Sequence, residues 1–424
     1  MAKSSSTVET RVTGIDDAWL AKGQEPALEP ELAICDPHHH LWDFRRHRYL
    51  LPDLVADTEA GHKIESTVFI ECTAFYRADG PEAFKPVGET EFVNGQAAMA
   101  ASGRYGETRA CAGIVGLADL TLGARVEAVL AAHIAAGNGR FRGIRYAAGW
   151  EASDHIHNSH TQPGPERYRD PVFREGFARL KPLGLSFDAW LYHPQLPDVI
   201  DLARAFPDQP IVMDHVGGPI GLGPYAGKRD EIFPIWQRHI RELARSPNVH
   251  MKLGGLGMKI CGFEFDKALR PPTSEELAAA WRPYIETCIE AFGVHRCMFE
   301  SNFPVDKVSC PYGVLWNAFK RLAAGASAAE KQALFHDTAV KFYRQGWGGG
   351  DARGRENRRA PGGRGARHRS EAAAIARRCR PGPRGVPRAS GAALPGGTPA
   401  ISAPLPRPTR SPPPWFTPPS APIP

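Results

Sequence analysis

No apolar run in this 424-residue chain approaches the roughly 18 residues that a membrane-spanning helix needs. Met1 to Pro30 also lacks the basic-then-apolar order of a secretory signal. The two absences predict a soluble, cytoplasmic protein. The eight cysteines (Cys35, Cys72, Cys111, Cys261, Cys288, Cys297, Cys310 and Cys379) include no Cys-x-x-Cys pair, so the spacing suits neither a zinc ribbon nor a disulfide framework. Most lie in apolar runs, where a free thiol behaves as a small hydrophobe, and a reducing compartment is expected.

A one-signed charge across the folded part is lacking as well. The net charge is +6, but residues 346–424 hold fourteen arginines against three acids, a local +11 that leaves residues 1–345 at −5. The basic balance is a property of the tail. That tail is rich in Gly, Pro, Arg and Ala, has little apolar to bury, and is expected to be disordered. It shows no aromatic interleaving and no basic amphipathic helix, so neither nucleic acid nor a membrane is an expected partner. Its abrupt onset after Phe342-Tyr343-Arg344 also suits translation past a shifted reading frame.

What the chain does have is a 42% hydrophobic content, enough for a large core, and a regular alternation of strand and helix signals. β-rich runs occur at Leu32 to Cys35, Ser66 to Glu71, Arg109 to Val115, Phe141 to Tyr146, Leu185 to Leu191, Pro210 to Met213, Val249 to Leu253 and Arg296 to Phe299. Helical patterns fill the intervals, at Glu91 to Ala101, Leu122 to Ala136, Pro171 to Leu183, Leu196 to Ala205, Asp230 to Arg245, Ser274 to Phe292 and Val314 to Ala323. Repeated βα units imply parallel strands, and eight of them imply closure into an α/β barrel, a (β/α)8 TIM barrel. The domain reading is an N-terminal extension at 1–30, the barrel at 31–345 and the disordered tail at 346–424.

A barrel places its chemistry at the C-terminal ends of the strands. The first strand leads into Asp36-Pro37-His38-His39-His40-Leu41-Trp42-Asp43, and alternate residues of a strand share a face, so His38 and His40 converge on one ion or substrate. Glu71, Arg145, His193, His215, Lys252 and Glu300-Ser301-Asn302-Phe303-Pro304-Val305-Asp306 follow or end later strands. His215 precedes Val216-Gly217-Gly218, a flexible turn that lets a ligand approach closely. The inserts at 73–89 and 151–169 have no readable pattern, and His155, His157 and His160 in the second are expected to be a solvated loop.

The first histidine segment, Phe141-Arg142-Gly143-Ile144-Arg145, Met213-Asp214-His215-Val216-Gly217 and Met298 to Asp306, in that order, resemble the amidohydrolase-related family of metal-dependent TIM-barrel hydrolases. Phe335-His336-Asp337-Thr338-Ala339 and Phe342-Tyr343 resemble its closing helix. Within the family, the chain most resembles lactonases of the L-fuconolactonase and 2-pyrone-4,6-dicarboxylate lactonase type.

The resemblance implies a site built from His38, His40, His215 and an acid on the eighth strand, and leaves open whether one divalent cation, zinc or manganese, is bound there. Where the family places that acid, this chain has Asn302, and an amide cannot serve as a general base near neutral pH. Asp306, then Glu300, then Glu71 are the replacement candidates. Three imidazoles and one oxygen would suit zinc, and manganese would prefer more oxygen. Since Asn302 removes an anionic ligand, weak or absent metal binding is favoured. Arg145 and Lys252 are expected to orient an anionic small-molecule substrate, with Glu71 and His193 beside it. The expected activity is hydrolysis of a sugar-acid or dicarboxylic-acid lactone. A non-oxidative decarboxylase and a barrel that binds a small acid without turnover are the alternatives. Whether the chain forms a homo-oligomer is left open.

Overall fold

In the computed structural model, which describes residues 15–44 and 47–345, eight strands form one sheet in chain order. They are β1 (Ile34–His39), β2 (Ile64–Ile70), β3 (Arg109–Gly116), β4 (Phe141–Ala147), β5 (Ser186–Trp190), β6 (Ile211–Met213), β7 (Val249–Leu253) and β8 (Cys297–Phe299). Every neighbouring pair is parallel. Each strand is followed by a helix: α1 (Leu51–Thr58), α2 (Val87–Met99), α3 (Val126–Ala136), α4 (Pro171–Phe177), α5 (Leu196–Ala205), α6 (Arg229–Leu243), α7 (Ser274–Phe292) and α8 (Tyr312–Leu322). The (β/α)8 barrel expected from the periodicity is the fold observed. The expected disordered tail lies outside the described residues.

Alternation along the strands sorts the core into two layers. Phe69, Ile114, Ile144, Phe187, Ile211, Met251 and Phe299 face the helices in the main apolar cluster. Val68, Ile70, Val115, Val212 and Met298 instead pack together inside the barrel, plugged by Phe342 and Tyr343. Two residues beyond Val212 is Asp214, and two beyond Met298 is Glu300. The same inward face therefore changes from apolar to charged toward the C-terminal mouth.

The first and last strands close the barrel just past the end of β8. Asn302 N donates to the His38 carbonyl at 2.9 Å, and His40 N donates to the Phe303 carbonyl at 2.8 Å. Asp36 clamps this seam. Its Oδ1 accepts from Ser301 N at 3.0 Å and His38 N at 3.3 Å, and its Oδ2 accepts from the Tyr312 hydroxyl at 2.9 Å. Burial raises the Asp36 carboxyl to about 6, against the opposing hydrogen bonds from Ser301 and Tyr312.

Two local elements depart from the sequence reading. Trp42–Phe44 and His47–Tyr49 pair as a short antiparallel ribbon, and α1 starts where Leu51-Pro52 allows a proline in a first helical turn. The described part of the N-terminal segment docks through Glu25, which accepts from Ser274 N at 2.8 Å and Asn317 Nδ2 at 3.1 Å. Among the described residues the seven cysteines are buried and free, and no helix is long and apolar enough to cross a membrane.

Asp36→Ala removes a buried, charge-assisted clamp and should cost about 3 kcal/mol in denaturant unfolding. Asp43→Ala, at an exposed position in the same segment, should stay within about 0.5 kcal/mol of wild type. Equal effects would show that the seam does not depend on Asp36.

Candidate active site

The His-x-His alternation holds. His38 and His40 face the barrel interior with ring centroids 5.0 Å apart. The intervening His39 points outward, its Nε2 2.8 Å from Thr67 Oγ1 and its ring 6.0 Å from Phe69. His215 joins the pair from the end of β6, 4.5 Å from the His38 ring.

Glu300 lies between two of these imidazoles. His215 Nδ1 lies 2.6 Å from Glu300 Oε1, the His215 amide donates to the same oxygen at 3.1 Å, and His38 Nδ1 is 2.9 Å from Oε2. Burial drives the Glu300 carboxyl up to about 8, although Lys252 opposes the shift. Burial also lowers His215 to about 3, and holds His38 and His40 well below the ordinary histidine range. Burial thus favours the neutral form of all three imidazoles.

The sequence ranks Asp306 ahead of Glu300 as the base, but the structure sets Glu300, and not Asp306, against the histidines. Asp306 sits behind Asn302, accepting from Asn302 Nδ2 at 2.7 Å and from Gly257 N at 2.9 Å. Both oxygens are thus engaged away from the histidines, and burial raises the carboxyl well above its usual range. Asp306 positions the Asn302 amide, whose Oδ1 lies 3.4 Å from His40 Nε2. His40 Nδ1 donates to the Ile70 carbonyl at 2.8 Å.

Below the histidines lies a buried charge network. Lys252 Nζ is 2.8 Å from Asp188 Oδ2, 3.0 Å from Asp214 Oδ1 and 3.1 Å from His38 Nδ1. Tyr343 donates its hydroxyl to Asp188 at 2.6 Å. Burial alone would lower the Lys252 ammonium, but Asp188 and Asp214 outweigh it and raise the group. Arg145 Nε donates to Glu71 Oε1 at 2.7 Å, and Arg145 Nη1 is 3.3 Å from His38 Nε2. Burial opposes ionisation of Glu71, yet His160, 3.2 Å from its Oε2, and Arg145 hold the carboxyl below its ordinary value.

Lys252 is wholly buried and Arg145 nearly so, so the ammonium expected to meet the substrate works from beneath the histidines. His193 stands apart from the cluster. Its Nδ1 accepts from Ile220 N at 3.2 Å, and its ring packs on Tyr225. The loop expected to be solvated is not so at His160, which is nearly buried against Glu71. His155 and His157 line a cavity of about 310 Å³ with Trp190, Tyr192, Leu222, Met258, Lys259, Ile260, Val305 and Val308. Trp190 also packs on His215 at 4.8 Å, so the cavity and the histidine cluster share this indole as a wall.

The sequence profile of the amidohydrolases matches residues 35–345. The chain belongs to the amidohydrolase family. It is 37% identical over 329 residues to an uncharacterized protein of Sinorhizobium fredii, y4mH, covering 74% of this chain and 99% of that protein. An L-fucono-1,5-lactonase of Burkholderia multivorans is 30% identical over 175 residues, 41% of this chain and 56% of that enzyme. The crystal structure of an amidohydrolase from Burkholderia multivorans with bound Zn matches with a TM-score of 0.57 and 25% identity, over 74% of this chain and 99% of that one.

In this amidohydrolase, His38, Asp214 and His215 bring ligand-type atoms within 4.8 Å of one another. A divalent cation does not fit them as they stand. Two of the three residues already face the Lys252 ammonium, through His38 Nδ1 and Asp214 Oδ1. The other His38 nitrogen faces the Arg145 guanidinium. His40, expected as a ligand, is outside this group and engages Ile70 and Asn302 instead.

Sequence reasoning left Asp188 and the glycines after β7 unassigned. A lone acid inside the apolar strand Ser186–Trp190 was the available signal for Asp188. Gly254-Gly255-Leu256-Gly257 makes room for three site residues. A Cβ on Gly254 would lie 2.5 Å from Glu300 Cγ, one on Gly255 2.4 Å from His215 Cγ, and one on Gly257 2.8 Å from Asp306 Oδ2.

Gly255→Ala therefore combines a left-handed φ of +68° with a clash on the His215 ring. We expect it to destabilise the protein by about 2–4 kcal/mol. Gly139→Ala, at φ +79° with nothing within 4 Å, should cost only about 1 kcal/mol. Urea unfolding of both variants checks the difference, and equal costs would remove the packing argument.

Proposed function

We propose that this amidohydrolase opens a lactone by adding water to its ester carbonyl. The observation that carries this reading is the 2.6 Å contact between Glu300 Oε1 and His215 Nδ1. With the Glu300 carboxyl ionised, it fixes the imidazole with Nδ1 donating and Nε2 left to take a proton, the arrangement by which a carboxylate–histidine pair activates an oxygen nucleophile. Water attacks the carbonyl carbon as its proton passes to His215 Nε2. Arg145 Nη1, the guanidinium nitrogen not bonded to Glu71, supplies positive charge for the oxyanion. Collapse breaks the ring C–O bond, and His215 returns the proton to the departing oxygen. The balance is one water consumed and one hydroxy acid formed. The partial likeness to an L-fucono-1,5-lactonase supports the ester class.

The cavity favours one branch of lactones. Ile156, Leu222, Met258, Ile260, Val305 and Val308 give it an aliphatic wall, against which the hydroxyls of a sugar would be left unpaired. Trp190 and Tyr192 present rings for a flat face, and Lys259, ion-paired with Asp266 Oδ2 at 3.0 Å, places a cation at the rim that a carboxylate could share. An unsaturated lactone carrying a carboxylate suits this lining better than a polyhydroxylated one.

Because burial puts the Glu300 carboxyl at about 8, the form that accepts the His215 proton is lost as pH falls through that value. kcat/KM for lactone opening should rise with pH and reach half its maximum near 8. Glu300→Gln should abolish that limb and lower kcat by about 10²–10⁴. Proton release against a lactone panel reads both, and a variant that keeps the wild-type profile while folded would remove Glu300 from the mechanism.

In the same panel, unsaturated carboxylated lactones should exceed sugar lactones in kcat/KM by at least about tenfold, the worth of a single unpaired buried hydroxyl. The reverse preference would sink the substrate assignment but keep the hydrolase. Release of carbon dioxide from an unsaturated acid, with the whole lactone panel silent, would move the function to decarboxylation.

A further inference from the structure

We infer that Lys252 is the built-in cation of this site, standing where a divalent ion would bind, so that the protein works without a bound metal. Lys252 Nζ lies 3.1 Å from His38 Nδ1 and 3.0 Å from Asp214 Oδ1, and those two atoms are 3.7 Å apart. An ion bound to both at about 2.1 Å could lie no farther than about 3.4 Å from the ammonium nitrogen, even on the opposite side of the pair. No water or carboxylate fits between charges that close, and in a buried site their repulsion is poorly screened.

The ammonium has no room to withdraw. Its side chain is wholly buried, Asp188 Oδ2 anchors it at 2.8 Å, and Tyr343 both hydrogen-bonds that aspartate and places its ring 5.5 Å from Nζ. Arg145 Nη1, 3.3 Å from His38 Nε2, closes the other nitrogen of the same imidazole. One fixed cation thus holds Asp214 beside His38 and offsets the charge of Asp188 and Asp214, the electrostatic task a metal would otherwise perform. The inference concerns this charge arrangement and stands whether the substrate is a lactone or another acid.

The test is calorimetric titration of the full-length, chelator-dialysed protein with zinc chloride alone, run beside Asp214→Asn to separate the site from surface histidines. The expected wild-type result is no zinc site that Asp214→Asn removes. Lys252→Met uncovers His38, Asp214 and His215, and should gain one zinc per chain bound roughly a hundredfold more tightly than any wild-type binding. His38→Ala in that background should remove the gain.

One zinc per wild-type chain that disappears in Asp214→Asn would mean that the surplus carboxylates recruit an ion despite Lys252, and overturns the inference. A folded Lys252→Met that binds no zinc overturns it as well, since the ammonium would then not be standing in a metal position. Should Lys252→Met fail to fold, the comparison of wild type with Asp214→Asn still decides the claim.

Discussion

The seam between β1 and β8 is the constraint on which the rest of the structure depends. A barrel has no free edge only if its first and last strands meet, and here they meet through the residues of the site. The His38 carbonyl and the His40 amide are the closing hydrogen-bond groups, and their partners are Asn302 N and the Phe303 carbonyl. Closing the barrel and bringing Glu300 to the histidines are therefore one event. A site on a peripheral loop could be lost with the barrel intact, whereas this one cannot be misplaced without opening the sheet.

The second constraint is charge. Burying an ion costs several kcal/mol unless partners and geometry compensate, and the inner mouth of this barrel holds Glu71, Asp188, Asp214 and Glu300 beside Arg145 and Lys252. The arrangement is stable because each cation is shared. Lys252 serves Asp188 and Asp214, while Arg145 takes Glu71 and turns its remaining nitrogen to His38. The backbone carries part of the cost. His215 and Val216 sit at φ 54° and 47°, a region that a β-branched residue rarely occupies, and the His215 amide is held there by Glu300. The strain is thus concentrated at one imidazole, which one carboxyl holds through both its amide and its Nδ1.

Much of this was legible in the sequence. The eight strands fall where the short β-rich runs predict them, because parallel strands buried on both faces read as nearly continuous apolar segments. The facing of His38 and His40, with His39 turned outward, follows from alternation alone. What escaped was relational. Asp188 becomes a partner of Lys252 only when β5 and β7 share an interior. His160 becomes buried only when its loop folds onto Glu71. The glycines after β7 acquire meaning only from the side chains of β6 and β8 that press on them. The preference for Asp306 over Glu300 failed for the same reason, since sequence distance from Asn302 does not reveal which carboxylate lies in front of the amide.

The placement of Glu300 explains why an amide at 302 is compatible with a working site. Met298 faces the barrel interior, and alternation puts Glu300 on the same side two residues on. A glutamate has one more methylene than an aspartate, and from this deeper position its carboxylate reaches both His38 and His215. A carboxyl near the histidines is thus retained although position 302 carries an amide. It meets His215 at Nδ1 and fixes a tautomer, where an aspartate at 302 would have faced His40. The same displacement leaves Lys252 as the positive group nearest His38 and Asp214. With the acid at 300 and the ammonium at 252, the charges that face His38 and His215 come from this chain's own side chains.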